Sequence, residues 1–312
     1  MVTTFLLFCC ALDLPLENNE LIDRAMALFA DECFGEGIGA ATGDLLLAAW
    51  CHNFPEFRPG ALPFMLRSMR GWRRLRPSHG RHPIPYEVAC AAAAVMFSRT
   101  GNFALALAVL LCFDAYLRPY ELLGLRFCDL LPPHGPFEHF SILIAPWEVQ
   151  APSKTKTFDD CVRLNSKLRP EVELLVRQLV TGCTGDRTAK AFPFTHQKLA
   201  DEFSRALEFL WLSPFHFVLY SLRHGGPSAD RATNARTPLE VQRRGRWALE
   251  SSTKRYEQPG RLHVVLTRIP RPLWEYCEAC RTAIVPLLLQ QQQLQRPAMP
   301  RAPIIPPTPA EV

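Results

Sequence analysis

Short stretches of this chain carry side chains suited to chemistry at a phosphodiester. LRPYELLGLRFCD holds Arg118, Glu121 and Asp129, and APSKTKTF holds Lys154 and Lys156. YSLRHGG holds Tyr220, Arg223 and His224, and RRGRWALESSTKRYEQ holds Trp247, Thr253 and Tyr256. Metal-free phosphodiester exchange needs a nucleophile, charge to neutralise the non-bridging oxygens, and a proton for the leaving 5′ oxygen. Arginine suits the second task, being always charged and able to grip phosphate with a planar fork. Lysine or histidine suits the third. A tyrosine can attack phosphorus and store the bond energy in a covalent ester, so no nucleotide cofactor is needed. The ordinary alternatives are an arginine capping a surface helix, a solvated turn lysine, a buried polar Leu-Arg-His cluster and a surface tyrosine on a basic helix.

The elements that must position these residues are mostly helical. In the first part, 18–34, 43–54 and 60–76 have apolar residues at helical spacing, the first behind an Asn cap and the third with Pro63 in its first turn. RPSHGRHPIP (76–85) is rich in proline and basic residues and reads as a linker, so the boundary is placed there: 1–82 a helical domain, 83–290 a second domain, 291–312 a disordered Gln/Pro-rich tail. The second domain opens with two strongly apolar helices, 87–99 and 103–117. A shorter helix follows from Arg118, whose place before Pro119 at a helix start would favour an anion. HFSILIA and FDDCVRL read as strands around the lysine loop, and helices fill most of the rest to about residue 295. The fold class is mainly α with a small antiparallel β-sheet.

Net charge is only +5, from 35 Lys and Arg against 30 Asp and Glu, so bulk charge does not declare a nucleic-acid binder. The distribution says more. Arg70, Arg73, Arg74 and Arg76 cluster near the linker, and Arg243, Arg244 and Arg246 precede Trp247, so both groups are candidate DNA contacts. Lys254 and Arg255 beside Tyr256 would favour its phenolate. The eleven cysteines lack framework spacing and sit largely in apolar runs, as buried thiols of a reducing compartment do. Cys277 and Cys280 have no second pair at zinc spacing, so no metal is assigned. The apolar start MVTTFLLFCC lacks a basic leader, no run is long enough to span a bilayer, and no membrane association is expected.

The motifs occur in an order that resembles the tyrosine-recombinase, or phage-integrase-like, family over roughly residues 84–285. The resemblance implies that Arg118 and Arg223 are the two catalytic arginines, Glu121 orients the site, Asp129 closes the first motif, and His224 follows the second arginine. It implies a hairpin lysine at Lys154 or, less closely, Lys156, a phosphate-facing indole at Trp247, and Tyr256 as the nucleophile forming a 3′-phosphotyrosyl intermediate. Tyr220 departs from the pattern, standing where the family has its first histidine. Its hydroxyl can donate to a phosphate, but with a reference pKa of ~10 it makes a poor base at neutral pH.

By the same resemblance the expected activity is site-specific recombination or integration of a mobile element. The expected partner is double-stranded DNA, held in a clamp whose other half is the N-terminal helical domain. The expected assembly is a homo-oligomer, a tetramer on DNA. No cofactor is implied. Location follows the DNA: nuclear in a eukaryote, otherwise cytoplasmic. Two related readings stay open, a decayed or domesticated DNA-binding protein of this fold and a type IB topoisomerase-like enzyme. A helical adaptor without a nucleic-acid role is a third.

Overall fold

Apolar residues spaced for helices fold as helices throughout the chain. The structure, a computed structural model, describes residues 1–76, 81–152, 157–164 and 167–295. The chain divides into two compact units, Met1–Gly80 and Arg81–Val312.

The first unit is all helical: α1 (Val2–Ala11), α2 (Asn19–Gly35), α3 (Ala41–Asn53) and α4 (Pro63–Leu75). The apolar start of the chain is helix α1, with Phe5 and Cys9 buried. Phe5 meets the rings of Phe29 and Trp50 edge-on at 5.8 and 5.5 Å. As the Asn-x-x-Leu spacing suggests, the Asn18 side chain caps α2 by accepting from the Leu21 N–H. Helix α4 lacks a cap of its own. The buried carboxylate of Asp23 supplies one from α2, accepting from the Phe64 and Met65 N–H groups at 2.8 Å each.

The second unit is built on α5 (Tyr86–Thr100) and α6 (Phe103–Asp114), which pack together. Both are apolar around nearly their whole circumference, so they are buried rather than amphipathic. Helix α7 (Pro119–Gly124) follows, then strands β1 (Leu130–Leu131), β2 (Ser141–Ile144) and β3 (Asp160–Arg163). They form an antiparallel sheet in the order β1-β2-β3, with Leu130 opposite Ile142 and Ile142 opposite Val162. The two-residue β1 was not foreseen, because so short a strand leaves no alternation to read.

The rest is helical: α8 (Pro170–Thr181), α9 (His196–Phe209), α10 (Leu219–Ala232), α11 (Pro238–Gly245), α12 (Glu250–Tyr256), α13 (Pro259–Arg268) and α14 (Arg271–Gln295). Helix α14 packs along α5, and α10 packs on α6 and α13. The molecule is thus mainly α with one small antiparallel sheet. No helix among the described residues is long and apolar enough to cross a membrane.

Arg81 and His82, read from sequence as the end of the first domain, belong to the second unit. The reason is local. Ile84 is fully buried and its N–H points to the Ser221 carbonyl, so the segment before α5 is tied to α10.

Candidate active site

Helix α10 carries LRHGG, and its glycine pair decides where the helix can lie. A Cβ on Gly225 would sit 2.3 Å from the Ile84 carbonyl oxygen, and one on Gly226 would sit 2.3 Å from that of Phe113. Backbone cannot yield at such distances, so only glycine lets α10 approach α6 this closely. The approach buries Arg223 completely.

Arg223 is held by carbonyls and by one carboxylate. Its guanidinium donates to the Tyr116 carbonyl and, at 2.7 Å, to that of Gly245, and lies 3.6 Å from Glu121. Glu121 also pairs with the Arg118 side chain, and with Arg246 at 2.6 Å. Three guanidiniums therefore share one carboxylate, leaving two positive charges uncompensated by any other ion pair among the described residues. Burial acts to raise the Glu121 carboxyl, but Arg246, Arg223 and Arg118 outweigh it and hold it below the usual carboxylate range. Burial, reinforced by Arg246 and Arg118, pushes Arg223 down to about 10, which still leaves it charged at neutral pH.

The Nε atoms of Arg118, Arg223 and Arg246, together with the Trp247 indole nitrogen, are buried and lack an acceptor. Buried polar atoms are normally satisfied, so these donors are exceptions, and they belong to residues of a positively charged cluster.

Tyr256, the last residue of α12, faces this cluster. Its ring stacks on Trp247 at 4.7 Å and lies 4.7 Å from the His224 ring, with the Arg223 guanidinium 5.5 Å from its centroid. Ser228, one turn beyond His224, pins the backbone here. Its hydroxyl donates to the carbonyls of His224 and Tyr256 and accepts from the Gln258 N–H at 2.9 Å. The Tyr256 hydroxyl meets the Tyr220 hydroxyl at 2.9 Å.

The two phenols differ. Burial raises Tyr220, but its hydrogen bond with Tyr256 and the charges of Arg223 and Arg118 outweigh this, so it lies below the ordinary tyrosine value. Tyr256 is held above that value by burial and by Tyr220, which Arg223 and Arg118 only partly offset. The expectation that Lys254 and Arg255 favour the Tyr256 phenolate is therefore corrected. Lys254 pairs with Glu250 at 2.9 Å and Arg255 is exposed, so neither charge bears on the hydroxyl. His224 is pushed down to about 4 by burial and by the charges of Arg81 and Arg223, so it is neutral at physiological pH.

The structure thus brings together Arg118, Glu121, Tyr220, Arg223, His224, Trp247 and Tyr256. A cleft of about 930 Å3, lined in part by Arg81, Arg118, Asp129, His196 and Tyr220, opens beside them. Asp129 forms a bidentate pair with Arg126. Lys154 and Lys156 lie outside the described residues. Arg243 is exposed on α11.

Arg244 is not a surface contact, contrary to the sequence expectation. It is buried, donating to the Asp114 carbonyl and carboxylate at 2.8 Å each and to the Arg163 carbonyl. Arg246 is also turned inward, its side chain 5% exposed against Glu121, so it belongs to the anion cluster. A run of arginines does not reveal which of them a fold turns inward. The left-handed backbone of Arg246 at the end of α11 makes that turn. Helix α7 corrects a further expectation. The anion at its start is Glu121 itself, whose carboxylate accepts from the Arg118 N–H at 2.7 Å. Arg70, Arg73, Arg74 and Arg76 lie on or just beyond α4 in the first unit, with Arg73 engaged by Asp44 and Arg76 stacked 4.5 Å over Phe34.

Sequence reasoning missed Tyr116 and Gly245, because they act through backbone carbonyls. It also missed a buried network in which Arg169 bridges Asp114 and Asp230, and Tyr116 donates to Asp230.

No family model matches the sequence, and no curated protein matches it. The chain is similar in structure to recombinases. One is XerH site-specific recombinase in its post-cleavage complex with palindromic difH substrate, 13% identical over 80% of this chain and 78% of that chain, TM-score 0.43. The XerH pre-cleavage complex with difH is 14% identical over 80% and 79%, TM-score 0.43. XerA recombinase is 12% identical over 86% and 98%, TM-score 0.41.

Proposed function

We propose that this chain cuts and rejoins double-stranded DNA as a tyrosine-type strand transferase, with Tyr256 as the nucleophile. One observation carries the reading: buried donors without acceptors on Arg118, Arg223, Arg246 and Trp247, in a cluster of excess positive charge, beside a tyrosine hydroxyl. A scissile phosphate satisfies those donors and balances that charge. Attack by the Tyr256 oxygen forms a P–O bond and breaks the bond to the 5′ oxygen, leaving a 3′-phosphotyrosyl ester and a free 5′ hydroxyl. Lys154 or Lys156, between β2 and β3 in the sequence, protonates the departing oxygen. One P–O bond replaces another, so catalysis is positioning and stabilisation of charge as it develops on phosphate oxygens. On DNA the protein acts as a homo-oligomer, a tetramer in the recombination reading.

The test is a duplex nicked beside the cleavage site, from which the short 5′-hydroxyl fragment diffuses away and traps the ester. Wild type accumulates a covalent adduct and Tyr256→Phe does not. The placement of Tyr220 where the resembling family has histidine, together with the raised Tyr256 phenol, favours a second reading: a protein that grips DNA without cutting it. Tight binding with no adduct in wild type selects that alternative. Adducts and supercoil relaxation by a monomer without sequence preference select a topoisomerase-like enzyme.

A further inference from the structure

We propose that Tyr220 is the proton acceptor for Tyr256, taking its proton across the 2.9 Å contact between the two hydroxyls as the Tyr256 oxygen bonds to phosphorus. This rests on the reading of Tyr256 as the attacking group. Among the described residues the Tyr256 hydroxyl has no other hydrogen-bond partner. His224 packs ring against ring on Tyr256 and is not hydrogen-bonded to its hydroxyl.

The surroundings of Tyr220 suit an anion. The charges of Arg223 and Arg118 bear on its hydroxyl, and the Arg81 guanidinium lies 4.5 Å over its ring. The opposing charge, Glu121, is already shared by Arg118, Arg223 and Arg246. His224 faces the ring from α10, at 5.8 Å between centroids. On the open side Tyr120, Asp129 and His196 line the same cleft as Tyr220. That cleft gives the Tyr220 proton a path to solvent. The hydrogen bond with Tyr256 and the charges of Arg223 and Arg118 lower Tyr220, while burial and that same bond raise Tyr256, so the shared proton belongs on Tyr256 and Tyr220 is placed to accept it.

The step balances. The step runs in the molecules whose Tyr220 has lost its proton. The Tyr256 proton passes to it, the Tyr256–phosphorus bond forms, and the 5′ oxygen leaves with its electron pair and takes a proton from Lys154 or Lys156. In rejoining, the 5′ hydroxyl attacks and Tyr220 returns the proton to the departing Tyr256 oxygen. Tyr220, standing where the resembling family has histidine, thus accepts the proton across the contact with Tyr256.

The test is the rate of adduct formation on the nicked duplex against pH, for wild type, Tyr220→Phe and Tyr220→His, with DNA affinity measured alongside. The wild-type rate rises with pH as Tyr220 loses its proton. Tyr220→Phe binds DNA but loses about 10²–10⁴-fold in rate and its pH dependence flattens. Tyr220→His recovers activity, with the rise moved down toward ~6.5, the reference value of imidazole. A tyrosinate absorbance titration of the DNA-free protein loses its most acidic tyrosine in Tyr220→Phe. An unchanged rate and profile in Tyr220→Phe overturns the assignment, as does peptide mapping that finds the DNA on Tyr220. Wild type that binds DNA and forms no adduct at any pH instead overturns the nucleophile reading, and this step with it.

Discussion

Arg223 has two of its nitrogens tied to the Tyr116 and Gly245 carbonyls, while its buried Nε has no acceptor. A lysine is a point charge and cannot serve both carbonyls and a phosphate. Arg223→Lys is expected to lower single-turnover adduct formation by ~10²–10³-fold, like removal of an oxyanion donor. It should also cost roughly 1–3 kcal/mol of stability in denaturant unfolding, from the carbonyl left unsatisfied. His224 gives a different signature. Its folded value of about 4 lies below the unfolded ~6.5, so the unfolded chain binds the extra proton between those values. The stability associated with neutral His224 is complete above the upper value and is lost as pH falls toward the lower one. In His224→Gln that part of the pH dependence of unfolding should disappear. If it persists, other groups are responsible.

At the scale of elements, close approach governs the site. Alanine at Gly225 or Gly226 would drive a Cβ into backbone on Ile84 or Phe113 and lever α10 off α6. We expect about 1–3 kcal/mol or more of destabilisation from overpacking, read by chemical denaturation. Gly245→Ala would act on the site itself, since its Cβ would meet the Trp247 ring at 2.1 Å and push the indole against Tyr256. The buried acid Asp114 ties α6 to Arg169 and to Arg244 of α11. Asp114→Ala leaves both guanidiniums short of a partner, and the loss should be of order 3–5 kcal/mol, as when one partner of a buried pair is removed. Conversely, Arg244→Ala should destabilise the protein without the uniform loss of DNA affinity expected of a phosphate contact, because the side chain does not reach the surface.

For the whole molecule the proposed DNA partner makes a prediction about charge. The exposed arginines of α4 in the first unit and the anion cluster in the second both offer positive charge, while the net charge is only +5. If α4 lies on DNA, Arg70→Ala and Arg74→Ala weaken binding to all sequences alike. Every arginine so removed from a phosphate also reduces the slope of log affinity against log salt by ~0.9. An unchanged slope removes α4 from the interface. The distinction is useful because nicked-substrate trapping reports on the cluster alone, whereas the salt slope counts every phosphate held.

Several features needed only the sequence. Helical spacing located α2 to α6, the Asn18 cap placed the start of α2, a β-branched apolar run marked β2 and alternation marked β3, because these depend on neighbours a few residues apart. Motif order singled out Arg118, Lys154, Arg223, His224, Trp247 and Tyr256 as a set, with Tyr220 as a departure from the pattern. Among the described residues, tertiary structure decided what these side chains experience. It turned Arg244 into a structural ion pair, moved Arg246 into the anion cluster, gave Arg81 to the ring of Tyr220, and inverted the acidities of the two tyrosines. Burial and electrostatic coupling depend on distances between segments more than a hundred residues apart, as with Arg223 and the Tyr116 carbonyl. Local periodicity carries no record of those distances, so the charge state of a side chain is a property of the folded molecule.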